Sequence, residues 1–96
     1  MLTAVHNVSF WPTSYPQPVW MPVDAPIVSA LWQDNSILLS YLSEDPEKES
    51  GSRAFVFVVA YDPVDIPPER LRFVESFYFP AERRQMFLFE VLKEES

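Results

Sequence analysis

Residues 53–92 read RAFVFVVAYDPVDIPPERLRFVESFYFPAERRQMFLFEVL, and this stretch decides the fold. It holds three runs rich in aromatic and β-branched residues, separated by two polar breaks that contain proline. Runs of this kind are typical of β-strands, and such breaks are typical of turns. Residues 53–61 are apolar on both faces, which predicts a strand in the middle of a sheet.

The two later runs predict further strands. Residues 71–79 alternate in polarity except at Glu75, which interrupts the apolar side and predicts a bulge or a change of face. Residues 86–93 predict a last strand whose alternate aromatic side chains face one way. Between these strands and the first one, Pro67–Pro68 can open a single helical turn, because proline is tolerated in a first helical turn.

The region upstream begins with a weak strand and a proline-rich segment. Residues 2–10 alternate in polarity with a slip, which predicts an edge strand. Residues 11–26 form a proline-rich extended segment, because proline lacks an N–H donor and excludes both a helix and a central strand. Within it, a short edge pairing is expected near residues 19–21.

A hairpin and an acidic loop follow. Residues 26–33 and 36–43 predict two strands joined at Asp34–Asn35, since Asn and Asp tolerate positive φ in tight turns. Residues 44–52 carry several carboxylates and the only glycine, which predicts a flexible surface loop. The final residues 94–96 are expected to fray.

These elements predict one all-β domain over residues 1–96. No helical periodicity is sustained anywhere, and 96 residues leave no room for two independent cores. We expect a small antiparallel β-sandwich or partly open barrel of five to six strands, with at most one short helical turn.

The charge and aromatic content of the chain limit the classes of partner that it can bind. The chain has 14 acidic and 7 basic residues and a net charge of −7, which disfavours direct nucleic-acid binding. Its 8 Phe, 4 Tyr and 3 Trp carry more aromatic surface than a small core hides, which favours a partner or self-association as a homodimer. The sequence shows no signal peptide and no apolar run long enough to cross a membrane, which predicts a cytoplasmic location without membrane association.

No residue pattern predicts catalysis. The chain has one histidine and no cysteine, and no phosphate loop, HExxH or GxSxG motif occurs. We therefore expect no enzyme, no cofactor and no metal site, and read His6 as structural. We interpret the carboxylates of the loop after the central strand as side chains of a solvent-exposed turn.

Four arginines are the main candidates for ligand contact. Arg70, Arg72, Arg83 and Arg84 come together if the last strands pair as expected, and clustered guanidinium groups bind phosphate or carboxylate. The alternative is charge balance against nearby glutamates. Trp20, Tyr61 and Asp62 complete the candidate ligand or partner contacts.

Several short motifs resemble a family of short, uncharacterised proteins encoded by phages and prophages. Its "MP-x-x-A-x-I-L" segment is similar to residues 21–28, MPVDAPIV, and its "F-x-V-x-x-T-G-H-P-I" segment to residues 57–64, FVVAYDPV. Its "L-x-Y-I-G-T" and "H-V-F-E" segments are similar to residues 71–76 and 88–91. This chain has Tyr61–Asp62 in place of the Gly–His pair and Glu75 in place of a later glycine. The resemblance implies a phage-encoded accessory protein with no established activity.

Three functions compete. The leading hypothesis is a non-enzymatic, phage-type accessory protein that binds and modulates, by inhibition, a bacterial host or defence protein in the host cytoplasm. The first alternative is a small-molecule or nucleotide-binding protein that sequesters a signal. The second is a virion or assembly component that oligomerises through its aromatic residues.

Overall fold

A computed structural model describes residues 2–47 and 50–93 of the chain. The expected fraying of residues 94–96 lies outside these residues. The described part holds a 3₁₀ turn at Pro68–Arg70 and seven strands: β1 (Ala4–Phe10), β2 (Gln17–Pro22), β3 (Ile27–Gln33), β4 (Ser36–Ser43), β5 (Ser50–Val59), β6 (Leu71–Phe79) and β7 (Arg84–Val91).

The strands form two antiparallel sheets. The three-stranded sheet has the order β1-β4-β3, and the four-stranded sheet has the order β2-β5-β7-β6. The two sheets stack into a β-sandwich and do not close into a barrel, so the all-β prediction is confirmed in its sandwich form. The shortest dimension, 16 Å, agrees with two layers about 10 Å apart.

The prediction of five to six strands is too low by one, because the proline-rich segment contributes a full strand. Residues 17–22 pair with β5 along their whole length. Proline is accepted there because β2 lies at the edge of its sheet, where one side of the strand needs no ladder donors.

The core lies between the sheets. Ile37 and Leu39 of β4 are fully buried against the inner face of the four-stranded sheet, where Leu88 is also fully buried. Aromatic rings join the layers: Phe10 lies 5.4 Å from Phe55 between ring centroids. A Trp32 ring on β3 stacks on Phe57 at 5.9 Å and meets Phe79 edge-on at 5.1 Å.

The β3–β4 hairpin turns as predicted. Asp34 and Asn35 have φ values of 52° and 63°, the two left-handed residues of a type I′ turn. Two other turns use residues that rarely adopt this conformation, since Tyr61 has φ 73° and Arg83 has φ 53°. The sequence gives no sign of these two, because neither is Gly, Asn or Asp.

The predicted loop over residues 44–52 is too long at its carboxyl end. Ser50 and Gly51 already pair with Pro22 and Met21 in the β2–β5 ladder. A Cβ on Gly51 would stand 2.7 Å from Cγ1 of Val23, so glycine is favoured there by a close approach rather than by a turn, and a larger residue would force the Val23 side chain to move.

The interruption at Glu75 is a bulge, as predicted. The β6–β7 register shifts between Phe73 and Glu75. The shift reverses the alternation of the aromatic residues of β6: Phe73 before it is exposed, whereas Phe77 after it packs against the core. One strand therefore supplies aromatic side chains to both faces of its sheet.

The connection from β5 to β6 is a crossover. Both strands pair antiparallel with β7, so they run parallel to each other and residues 60–70 must return along the sheet and pass over β7. The inner side of the sheet is occupied by the core. On the outer side, Val58 borders the same groove as residues 62–66. Val56, at an outward position, is only 1% exposed although it stands outside the core cluster. The crossover therefore covers part of the outer face.

Candidate functional site

The four candidate arginines do not cluster. Arg72 pairs with Glu90 near one end of the β6–β7 ladder, whereas Arg84 pairs with Phe79 at the other end. Seven residues of strand separate the two ends, roughly 23 Å at 3.3 Å per residue. Arg83 lies in the turn beside Arg84, and Arg70 binds the Leu92 carbonyl through its Nε at 3.0 Å. The expectation that all four lie together is wrong, because the hairpin places them at opposite ends.

A buried ion pair that sequence reasoning missed joins Arg53 and Glu90. The Nε and Nη2 atoms of Arg53 donate to the two carboxylate oxygens of Glu90, each at 2.7 Å. Nη1 donates to the backbone carbonyls of Pro22 and Ala25 at 3.0 and 2.9 Å. Both charged side chains are more than nine-tenths buried. In the sequence, this pair is indicated only by the position of Arg53 and Glu90 beside or within apolar runs.

This ion pair is a structural clamp. A groove of about 300 Å³ borders it, and the exposed Arg72 guanidinium lies 4.0 Å from the Glu90 carboxylate at its rim. Four of the five Arg53 N–H groups are already bonded to protein, which leaves almost no donor for a ligand. The pair ties β5 and β7 to the connection between β2 and β3, where the chain passes from one sheet to the other.

Tyr61 and Asp62 lie at the start of the crossover. The Tyr61 side chain is fully exposed, and the Asp62 backbone N–H donates to the Val59 carbonyl at 3.1 Å, which closes the turn. Asp62 and Asp65 line the groove of about 590 Å³ between the crossover and residues 14–16. No contact links these two candidates to an arginine among the described residues.

His6 faces inward from β1. Its ring lies 5.9 Å from that of Tyr41, and its buried Nε2 has no hydrogen-bond partner among residues 2–47 and 50–93. Over the same residues, no group of three His, Cys, Asp or Glu side chains is arranged to hold a metal ion.

Charged residues are absent from the outward strand positions that the structure describes. The strands β1 to β4 contain no Asp, Glu, Lys or Arg. Those of the other three strands either pair at inward positions or lie in the bulge: Arg53, Arg72, Glu75, Arg84 and Glu90. This distribution inverts the usual one, in which an antiparallel sandwich presents polar and charged residues outward.

The outward side of the four-stranded sheet, here named the aromatic face, carries the exposed aromatic residues. Its members at paired positions are Pro18, Trp20, Ser52, Ala54, Val56, Val58, Leu71, Phe73, Ser76, Tyr78, Gln85, Phe87, Phe89 and Val91. The Phe73 ring meets Phe89 edge-on at 6.2 Å, and Phe87 lies 6.4 Å from Phe89. Trp20 on edge strand β2 is largely exposed, and so are Phe73 and Tyr78 on the opposite edge strand β6.

Trp20 is thus the one sequence candidate on a strand of the aromatic face with an exposed aromatic side chain, at the edge of the sheet opposite Phe73 and Tyr78. Phe73 and Tyr78 were missed as site residues, because the alternation of β6 does not tell which face is outward until the pairing with β7 is known. The run of Phe87, Phe89 and Val91 on one face was the signal that could have found them.

No protein-family model, no curated protein and no solved structure matches this chain. The similarity to the phage and prophage family therefore rests on the motifs in the sequence. The described residues include no helix of the length and apolarity needed to cross a membrane.

Proposed function

We propose that this chain is a non-enzymatic protein-binding protein whose working surface is the aromatic face. In the phage context that the sequence motifs imply, its partner is a bacterial host or defence protein in the cytoplasm, which the bound domain inhibits by covering part of its surface. The observation that carries this proposal is the exposure of Trp20, Phe73 and Tyr78 on a sheet face whose outward strand positions hold no charged residue.

The composition of this face fits a binding surface. Trp and Tyr are the residues most enriched among those that dominate binding energy, and charged residues are depleted from the centres of interfaces. The Phe73–Phe89–Phe87 contacts hold three rings in a continuous row, so little side-chain entropy remains to be lost on binding. A partner would meet a prearranged apolar surface.

The acidic residues support the same proposal. Nine of the 14 carboxylates lie in described turns and loops, three of them in the crossover, so they form a charged rim around the strand positions of the aromatic face and extend along the crossover. A rim of one sign steers an oppositely charged partner and mainly raises the association rate. A basic protein surface is therefore the best match, whereas nucleic-acid phosphates are repelled.

The nucleotide-binding alternative loses its geometric basis. It rests on clustered arginines, and the β6–β7 register separates Arg72 from Arg84 by most of a strand. We therefore do not carry it as a second function.

Affinity capture with two matched variants tests the proposal. Phe73 and Val5 both lie on edge strands and are 56% and 58% exposed, on opposite faces of the sandwich. The wild type, Phe73→Asp and Val5→Asp are immobilised at equal density and exposed to lysate of bacterial cells. We expect a protein that the wild type and Val5→Asp recover and that Phe73→Asp loses at least tenfold. Recovery of nothing above background by the wild type, or equal recovery by Phe73→Asp, contradicts the proposal.

A further inference from the structure

The second outward surface, here named the neutral face, belongs to the three-stranded sheet. Its members at paired positions are Val5, Asn7, Ser9, Ser29, Leu31, Gln33, Ser36, Leu38, Ser40 and Leu42. Val5 and Leu31 are more than half exposed, while Leu38 and Leu42 are half-buried. Unlike the aromatic face, it is crossed by no described segment of the chain.

We propose that a second copy of this chain covers the neutral face, so that two domains form a twofold dimer by stacking their three-stranded sheets face to face. This proposal goes beyond the protein-binding function, since it uses the opposite side of the sandwich. Either one can fail without the other.

The order of residues on the neutral face makes it self-complementary. Val5 pairs with Leu42 in one row, and Leu38 pairs with Leu31 on one side and with Ser9 on the other in a second row. Between these rows runs a polar one that contains Ser40. A twofold axis in the interface plane through Ser40, whether along or across the strands, sets the β4 leucines of the two copies against each other and leaves Ser9 as the one polar residue of these two rows opposite an apolar side chain. An isologous contact requires this kind of match.

The polar row between the leucines is already satisfied within one copy. The Ser40 Oγ donates to Oδ1 of Asn7 at 2.7 Å across the β1–β4 pair. Burial of this row by a second copy therefore leaves fewer unpaired groups than burial of free hydroxyls would. The row also aligns the two copies, since a shift by two residues along the strands would bring the serine row against a leucine row.

Electrostatics favour this face over the edges and ends of the sandwich. Each copy carries a net charge of −7, so most contacts between copies bring carboxylates together. The three strands of this sheet contain no Asp, Glu, Lys or Arg, and face-to-face stacking keeps the charged turns at the periphery. Two acidic domains therefore repel each other least when they meet at this face.

The area of the neutral face limits the affinity expected for the dimer. Three strands about 4.8 Å apart and about seven residues long give a flat footprint of roughly 350 Å² per copy. Side-chain relief enlarges the accessible area, which brings the total near the lower limit of about 1,000 Å² for a specific interface. We therefore expect a reversible dimer with a dissociation constant of roughly tens of micromolar.

A dimer of this kind has a functional consequence. Stacking the neutral faces leaves the two aromatic faces on opposite outer sides of the assembly. The dimer then presents two binding surfaces, and a partner that is itself multimeric is bound with an avidity above that of one face.

Sedimentation velocity between about 5 and 500 μM tests the proposal with two variants of equal charge change. Leu31→Glu places a carboxylate on edge strand β3 at a side chain 56% exposed, and Tyr78→Glu does so on edge strand β6 at one 64% exposed. We expect the wild type and Tyr78→Glu to dimerise alike and Leu31→Glu to weaken dimerisation at least tenfold. A wild type that stays monomeric, or a dimer lost only with Tyr78→Glu, overturns the proposal.

Thiol-specific cross-linking provides a test that does not depend on a destabilising charge. Because the chain has no cysteine, Ser40→Cys introduces a single thiol beside the expected axis, and Ser52→Cys places one on the aromatic face as a control. Stacked sheets lie about 10 Å apart, which is too far for a disulfide but is spanned by a short bismaleimide. With this reagent and protein at 100 μM, we expect at least a tenfold excess of covalent dimer for Ser40→Cys. Equal or greater cross-linking of Ser52→Cys overturns the proposal.

Discussion

The carboxylate of Glu90 is held by two hydrogen bonds from Arg53, both 2.7 Å long, within the fold and away from solvent. The two residues are 37 positions apart in the chain and occupy neighbouring strands of the four-stranded sheet. Removing either residue alone is costly, because the charge that stays buried loses its bidentate partner.

We expect Glu90→Ala to lower the free energy of unfolding by about 3–5 kcal/mol, because an uncompensated guanidinium stays buried. That is a large fraction of the roughly 5–15 kcal/mol that stabilises a domain of ordinary size. Urea unfolding followed by fluorescence measures it. A loss below about 1 kcal/mol would show that the pair is solvated in solution.

The double variant Arg53→Met/Glu90→Leu is the control for this cost. Apolar side chains of similar volume remove both charges together, and such replacements are often neutral or stabilising. We expect the double variant to recover most of the stability lost by Glu90→Ala. The carbonyls of Pro22 and Ala25 lose their donor in it, so recovery is incomplete.

Gly51→Ala is expected to destabilise the domain by about 1–3 kcal/mol, because the new Cβ would press on Val23 at 2.7 Å. The companion variant Gly51→Ala/Val23→Ala removes the obstructing methyl group and should restore stability to the level of Val23→Ala alone. Thermal unfolding of the wild type, the two single variants and the double variant measures the coupling free energy between the two residues. Additive losses would mean that the two residues do not meet.

Arg83→Gly is expected to stabilise the domain by about 1 kcal/mol, since glycine adopts positive φ without the steric cost that a side chain has there. Glu82→Gly, one residue earlier in the same turn, serves as the control and should lower stability by about 0.5–1 kcal/mol. The denaturant concentration at the midpoint of unfolding, measured for each variant, distinguishes the two effects. An equal loss of stability in both variants would contradict a left-handed backbone conformation at Arg83.

Nucleotides should not stabilise the protein. A ligand at 100 times its dissociation constant raises stability by about 2.7 kcal/mol, which is easily seen as a rise in melting temperature. With Arg72 and Arg84 at opposite ends of a hairpin, we expect no rise with nucleoside mono-, di- or triphosphates at millimolar concentration. A clear rise that Arg84→Glu abolishes would restore the nucleotide-binding alternative.

Local patterns in the sequence predict the local parts of the fold. The Asp34–Asn35 turn, the bounds of β4 and the bulge near Glu75 all follow from residues within a few positions of each other. Turn chemistry and the two-residue period of a strand act over this range. The central position of β5 also follows, because both of its faces are apolar.

What depends on distant pairing could not be predicted. The spacing of the arginines, the outward direction of Phe73 and the Arg53–Glu90 pair all require knowledge of which strand lies beside which. The strand over residues 17–22 was predicted only as a short edge pairing near residues 19–21 for the same reason, since its prolines are tolerated only at an edge. In the candidate site, Trp20 was predicted as a contact residue, but the sequence alone did not decide whether it is exposed, and Phe73 and Tyr78 were not predicted.

The crossover over residues 60–70 also constrains the order of folding. Because β5 and β6 run parallel with β7 between them, neither can complete its ladder until residues 84–91 have been synthesised. The β6–β7 hairpin is local and can form first, whereas its docking onto β5 must close a long loop and is therefore slower than hairpin formation. A nascent chain that ends before Arg84 presents β5 with an open edge, the kind of surface on which chaperones act and from which aggregation begins.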